Sequence, residues 1–185
     1  MRFLSIVAVW LMVLALPGRA VADGPSADAQ AQYDAASTVT ATRSTTEESG
    51  ARNMASWHSL SATQQAEVLA AGGCRSIGSK LTGKNALGNT LWTFKQTSDW
   101  CWKQGKVVYR YSDLHVTSPF PGWDYVGLVS GSSSSCCSSP WIRQRTGEFE
   151  HCFPSPWGSV CPEHVYPWIK QWMYAGGGYS VSGGY

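Results

Sequence analysis

The chain has 185 residues, 43% of them hydrophobic and only 14% charged, with ten Trp and six Cys. That is room for one domain of ordinary size with tails, apolar enough to build a core. A formal charge of +2 with no basic block excludes the electrostatic footprint of a nucleic-acid binder or of a protein drawn to an anionic membrane surface.

Taken from the start, Arg2 precedes an apolar run from Phe3 to Leu16, followed by Pro17-Gly18 and Ala20-Val21-Ala22. A basic start, a short apolar core and an Ala-x-Ala site read as a secretory signal over residues 1–22. The run is too short for a membrane anchor and a Pro-Gly break follows it. Later stretches are shorter still in apolar character, so no membrane insertion is expected and the mature chain is expected outside the cell. Arg2 and Arg19 leave with the signal, which brings 14 basic residues to 12 against 12 acidic ones. The cysteines Cys74, Cys101, Cys136, Cys137, Cys152 and Cys161 all lie in the mature part. An even count in an exported chain predicts three disulfides, and 15 pairings are open. Cys101 with Cys152 is the favoured pair, because both fall within expected strands, with Cys136 and Cys137 reaching Cys74 and Cys161.

Residues 23–55 are poor in large apolar side chains and rich in Ala, Ser, Thr and Asp, the composition of a disordered leader. Residues 56–90 are expected to hold one short helix and a loop. Ser61-Ala62-Thr63-Gln64 fits a capping box, Ala66, Leu69 and Ala70 give a weak apolar stripe, and Gly72-Gly73 end it. Gly78, Gly83 and Gly88 among polar residues mark 75–90 as loop.

From Leu91 to the end the pattern is β. Trp92, Phe94, Trp100 and Trp102 alternate with Thr93, Lys95, Thr97, Asp99 and Lys103, giving one aromatic face and one wetter face. Gln104-Gly105 then reads as the turn of a hairpin returning through Val107 to Val116, with Trp102 opposite Val107 and Trp100 opposite Tyr109. Further strands are expected over 123–130, 141–153 with a break at Gly147, and 165–174, with a short terminal strand in the Gly-rich end; residues 130–140 read as loop. Strands on short connections with no helices between them predict an all-β fold, an antiparallel β-sandwich or small barrel over 91–185.

Trp100-Cys101-Trp102 with Gly105, the later Gly147-x-Phe149-x-x-Cys152 and the Gly-Gly-Tyr near the end resemble a loose group of short exported actinobacterial proteins. The resemblance covers roughly residues 74–185, and the Cys136-Cys137 pair departs from the group's pattern. It implies a secreted β-rich domain, and it implies no catalytic residue.

Four constellations carry chemistry on paper. His151-Cys152 and Cys161-x-x-His164 supply zinc or copper ligands, but in an oxidising compartment disulfides take the cysteines, so no metal or other cofactor is expected. Asp113 and His115 share a strand face, and the Ser-rich loop at 132–135 supplies hydroxyls, without the Gly-x-Ser-x-Gly elbow of a hydrolase and with loop filler the usual role of such serines. Glu148 and Glu150 lie about 7 Å apart on one strand face, within the range of paired catalytic carboxylates, with Arg143 and Arg145 as a basic pair that favours a solvated surface. The fourth is the strand at 165–174. Val165, Ile169 and Met173 form one stripe, and Tyr166, Trp168, Lys170, Trp172 and Tyr174 form the other. Such an aromatic row either lies buried under another layer, as nine mature Trp favour, or stands exposed as a stacking platform for sugar rings. The expected function is a secreted, non-catalytic binding or interaction domain, its partner a glycan or cell-wall surface. A small polysaccharide or cell-wall hydrolase using Glu148 and Glu150, or a secreted inhibitor or toxin-like effector, is the alternative.

Overall fold

The computed structural model describes residues 39–135 and 139–185. The signal expected at 1–22, the part of the expected leader up to residue 38, Cys136 and Cys137 lie outside the described residues. Within them the chain forms two antiparallel sheets rather than a closed barrel. The first contains β1 (Thr40–Ser49), β2 (Gly73–Lys84), β3 (Thr90–Lys103) and β4 (Lys106–Thr117) in that order. The second has β5 (Trp123–Ser133), β6 (Trp141–Ser155), β8 (Trp168–Met173) and β9 (Tyr179–Gly184), with β7 (Gly158–Val165) also paired to β6. β6 is the shared spine: residues 141–146 pair with β8, and residues 149–155 pair with β7.

The aromatic alternation of β3 builds the core. Trp92 and Phe94 join Leu81, Leu91, Trp123, Phe149 and Ile169 in one cluster, and Trp100 joins Ile77, Val107, Trp141 and Met173 in a second. Gln96 and Ser98 also face inward and are fully buried. Between the two clusters Gln171 accepts from Gln96 Nε2 (2.8 Å) and Ser98 Oγ (2.6 Å), and donates to Ser79 Oγ (2.9 Å). The two sheets are thus fastened by a polar belt as well as by apolar contact. Close approach is required at Gly147, where a Cβ would stand 2.6 Å from a ring carbon of Phe94.

The hairpin turn is as expected: Gln104 (φ 50°) and Gly105 (φ 74°) close β3 onto β4, with Lys103 opposite Lys106 and Trp102 opposite Val107. A register shift between Cys101 and Trp102 sets Trp100 opposite Arg110 and Cys101 opposite Tyr109, correcting the expected Trp100–Tyr109 pair. The capping box is present at helix α1 (Ala62–Leu69), where Ser61 Oγ accepts from Gln64 N and Gln64 Oε1 accepts from Ser61 N.

Several boundaries differ from the expectation. Thr40–Ser49, assigned to the leader, is β1 and pairs along its length with β2. Residues 75–84, assigned to loop, belong to β2. β5 runs on to Ser133, β6 passes through Gly147 without breaking, and the expected strand at 165–174 is two strands separated by Tyr166-Pro167. Asp99, assigned to the wetter face, is fully buried, because the segment from Ala51 to Leu60 folds over that side of β3.

The described disulfides are Cys74–Cys101 and Cys152–Cys161. Both join neighbouring strands, Cys74 facing Cys101 across β2 and β3 while the other closes the β6–β7 hairpin. They overturn the Cys101–Cys152 pair and remove Cys74 and Cys161 as partners for Cys136 and Cys137. Once 73–84 forms a strand beside β3, Cys74 is the nearest cysteine to Cys101.

Candidate functional site

β8 alternates strictly. Ile169, Gln171 and Met173 are fully buried against the first sheet, while Trp168, Lys170 and Trp172 stand on the opposite, solvent side and are half-buried. Tyr166 and Tyr174, just beyond the strand ends, are 45% and 40% exposed. The five residues of the aromatic row are therefore not core: the sandwich buries the other stripe. Val165, at the end of β7, packs at the edge of that core.

The neighbouring strands decide what surrounds the row. Thr146 and Gln144 of β6 lie opposite Trp168 and Lys170, and Ser182 of β9 flanks Lys170 from the other side. Trp168 leans over the bare backbone of Gly184, where a Cβ would stand 3.1 Å from its indole nitrogen. A shallow depression of about 470 Å³ results, lined by Gln144, Thr146, Trp168, Lys170, Trp172 and Ser182. The indoles sit about 13 Å apart along the strand. Between them Lys170 Nζ lies 4.9 Å from the centre of the Trp172 ring, a cation–π contact. Two apolar ring surfaces thus bracket a floor of amide, hydroxyl and ammonium donors. Gln144, Thr146 and Ser182 escape sequence reasoning because only the β6–β8–β9 register brings them beside the row.

Glu148 continues the same outer face. It accepts from Tyr166 OH (3.2 Å) and pairs with His164 Nδ1 (2.9 Å). Partial desolvation, and then the Glu148 carboxylate, raise the Tyr166 phenol above its ordinary value. Glu150 shares this face opposite His164 and Asp124. Neither glutamate lines the depression beside the indoles. Arg145 does not form the solvated pair expected with Arg143, for it turns inward, is buried, and donates from Nη2 to the carbonyl of Ser112 (3.1 Å).

The Cys/His constellation is divided by the sheet. Glu150, Cys152 and Cys161 offer ligand atoms within 4.8 Å of one another, but the two sulfurs are bonded to each other. His164 faces outward, whereas His151 is buried inside, its ring stacked on Trp123 at 5.1 Å and its Nδ1 3.5 Å from Glu163 Oε2. Burial raises the Glu163 carboxyl, against the opposing pull of His151. Asp113 and His115 lie exposed on β4 opposite Thr97 and Lys95, on the side of the first sheet turned away from the second. The serines at 132 and 133 belong to β5 of the other sheet, so this register builds no triad.

A third cluster has no sequence signal. Ser56 N donates to Asp99 Oδ2 (2.7 Å) and Tyr109 OH donates to Ser56 Oγ (3.0 Å), all beneath the 51–60 segment. Burial raises the Tyr109 phenol. The cluster pins the segment to the first sheet. No helix among the described residues is long and apolar enough to cross a membrane. Comparison with family models, with curated proteins and with solved structures gives no match.

Proposed function

We propose that this is an exported, non-catalytic binding domain that takes a glycan across the outer face of the second sheet. The observation that carries the reading is the alternation of β8. Its inward stripe supplies the core contacts, which leaves Trp168 and Trp172 half-buried on the outer face, outside both core clusters between the sheets. An indole presents an apolar face to the C–H face of a sugar ring, and hydroxyl, amide and ammonium groups at its foot match the sugar's hydroxyls. The basic start, apolar run and Ala-x-Ala site of residues 1–22 support export, and two disulfides in a small β protein accord with it. Engagement of Glu148 by Tyr166 and His164 favours binding over hydrolysis.

The test is retention on insoluble chitin, cellulose and peptidoglycan. Wild-type protein is expected to sediment with at least one of them. Trp168→Ala and Trp172→Ala are expected to abolish retention with little change in melting temperature. Trp100→Ala, which empties a fully buried site, is expected to cost about 3–5 kcal/mol of stability. Retention unchanged in both outer-face variants overturns the assignment of this face, and a wild type that binds none of the three overturns the glycan.

A further inference from the structure

The outer face of the first sheet carries a second, differently charged arrangement. Its register sets residues in rows across the four strands. One row reads Ser44, Lys80, Lys95, His115; the rows on either side read Thr42, Thr82, Thr93, Thr117 and Thr46, Gly78, Thr97, Asp113. Lys80 and Lys95 are thus directly opposite each other on adjacent strands, with His115 next in line. All three are exposed. Like charges directly opposite in a ladder oppose folding. Among the described residues no carboxylate comes within ion-pair distance of either lysine. The sheet therefore carries an uncompensated positive row at its centre.

The row also borders a concavity. At Gly78 the Thr46 side chain closes over the backbone, its Oγ1 donating to the Gly78 carbonyl (3.3 Å) and standing 2.7 Å from where a Cβ would be, so a larger residue there must displace it. The hollow, about 210 Å³, is lined by Ser44, Thr46, Gly78, Lys80 and Lys95. A second hollow of about 180 Å³ continues past Gly78 towards Thr97, Ser76 and Asn53. The titratable groups facing this area are Lys80, Lys95 and His115, with Asp113 one row away and Glu48 at the far end of the second hollow. Two lysines without an ion-pair partner and a border of hydroxyls beside the two hollows suit a ligand that is both anionic and hydroxyl-rich.

We propose that this face binds an acidic glycan, one bearing sulfate, phosphate or carboxylate groups, with its oxyanion held between Lys80 and Lys95 and its hydroxyls met by Ser44, Thr46 and Thr97. The site is separate from the indole face, which lies on the outside of the other sheet. The charge supplies attraction and the Gly78 hollow supplies room; neither alone selects a polymer with both properties.

The probe is dextran sulfate, with uncharged dextran as control, titrated calorimetrically into the full mature chain at low ionic strength. Binding is expected for dextran sulfate alone and is expected to weaken as salt rises. Lys80→Gln and Lys95→Gln are each expected to weaken it tenfold or more while the melting temperature stays level or rises, since the facing charges are relieved. Gly78→Val displaces Thr46 Oγ1 and crowds the hollow, and is expected to weaken binding with both lysines in place. Trp168→Ala is expected to leave it unchanged, so failure of the outer-face reading of the second sheet is distinguishable from failure here. Equal affinity for the two dextrans, binding indifferent to both lysine changes, or loss on Trp168→Ala would each overturn the proposal.

Discussion

Gln171 shows how a single residue decides the pairing of two sheets. It is fully buried and its amide serves Gln96, Ser98 and Ser79 at once, across the gap between the sheets. Gln171→Leu keeps the volume but strands three polar partners, so a loss of about 3 kcal/mol is expected in urea unfolding. A variant as stable as wild type would mean that the belt is dispensable. Glu163 offers a pH-dependent counterpart. Its carboxyl is raised above the ordinary value of 4.5 by burial, so the folded state favours the protonated form. The stabilisation linked to it is complete below about 4.5 and is lost as pH rises through the folded-state value. Glu163→Gln cannot titrate, and wild type is expected to lose stability relative to it on going from pH 4 to pH 7. Parallel pH profiles for the two proteins would contradict this. At this scale the sequence was legible where alternation was clean, as at Trp92, Phe94, Trp100, Ile169 and Met173. It was silent on Gln171 and put Asp99 on the wetter face, because burial of a polar side chain depends on partners from distant parts of the chain.

Hairpins carry the next level of organisation. The turn at Gln104-Gly105 could be read because Gly favours the positive φ that a tight hairpin needs. The β6–β7 hairpin could not, since Pro154 and Pro156 around its turn break the apolar rhythm, and its end near the turn is closed by Cys152–Cys161. Trp157 at its tip is 96% exposed, so Trp157→Ala is expected to leave the melting temperature unchanged. The two staples should differ in effect. Cys152–Cys161 spans 9 residues and Cys74–Cys101 spans 27. By loop-closure entropy their loss is worth about 2.5 and about 3.5 kcal/mol respectively. Replacing each pair by Ser and comparing unfolding midpoints checks the order, and a larger loss for the shorter loop would show that packing, not chain entropy, dominates. The second pair also carries contacts: Cys74 and Cys101 pack with Met54 and Val68 beneath α1.

Over the whole molecule, the N-terminal boundary of the fold is the feature that composition misplaced. Thr40–Ser49 has the Thr content of a strand but no apolar alternation, so it reads as linker. As an edge strand it needs no apolar face: only Ala41 reaches the core, while Arg43 donates to the carbonyl of Val181 and Glu47 pairs with Arg75 at 3.2 Å. Charged and hydroxyl side chains along such an edge also discourage pairing with a second chain. The consequence is testable. A chain beginning at Gly50 would strip the partner from ten residues of β2 and expose a long edge that carries Ile77 and Leu81. That chain is expected to melt well below one that keeps residues 39–185 and to self-associate at concentrations where the longer chain stays monodisperse, as read by thermal denaturation and light scattering. Replacing Thr42, Ser44 and Thr46 together by Ala keeps the backbone ladder and is expected to restore solubility relative to the truncation. If the truncated chain melts like the longer one and remains monodisperse, β1 is an accessory strand and the sandwich begins at Gly73.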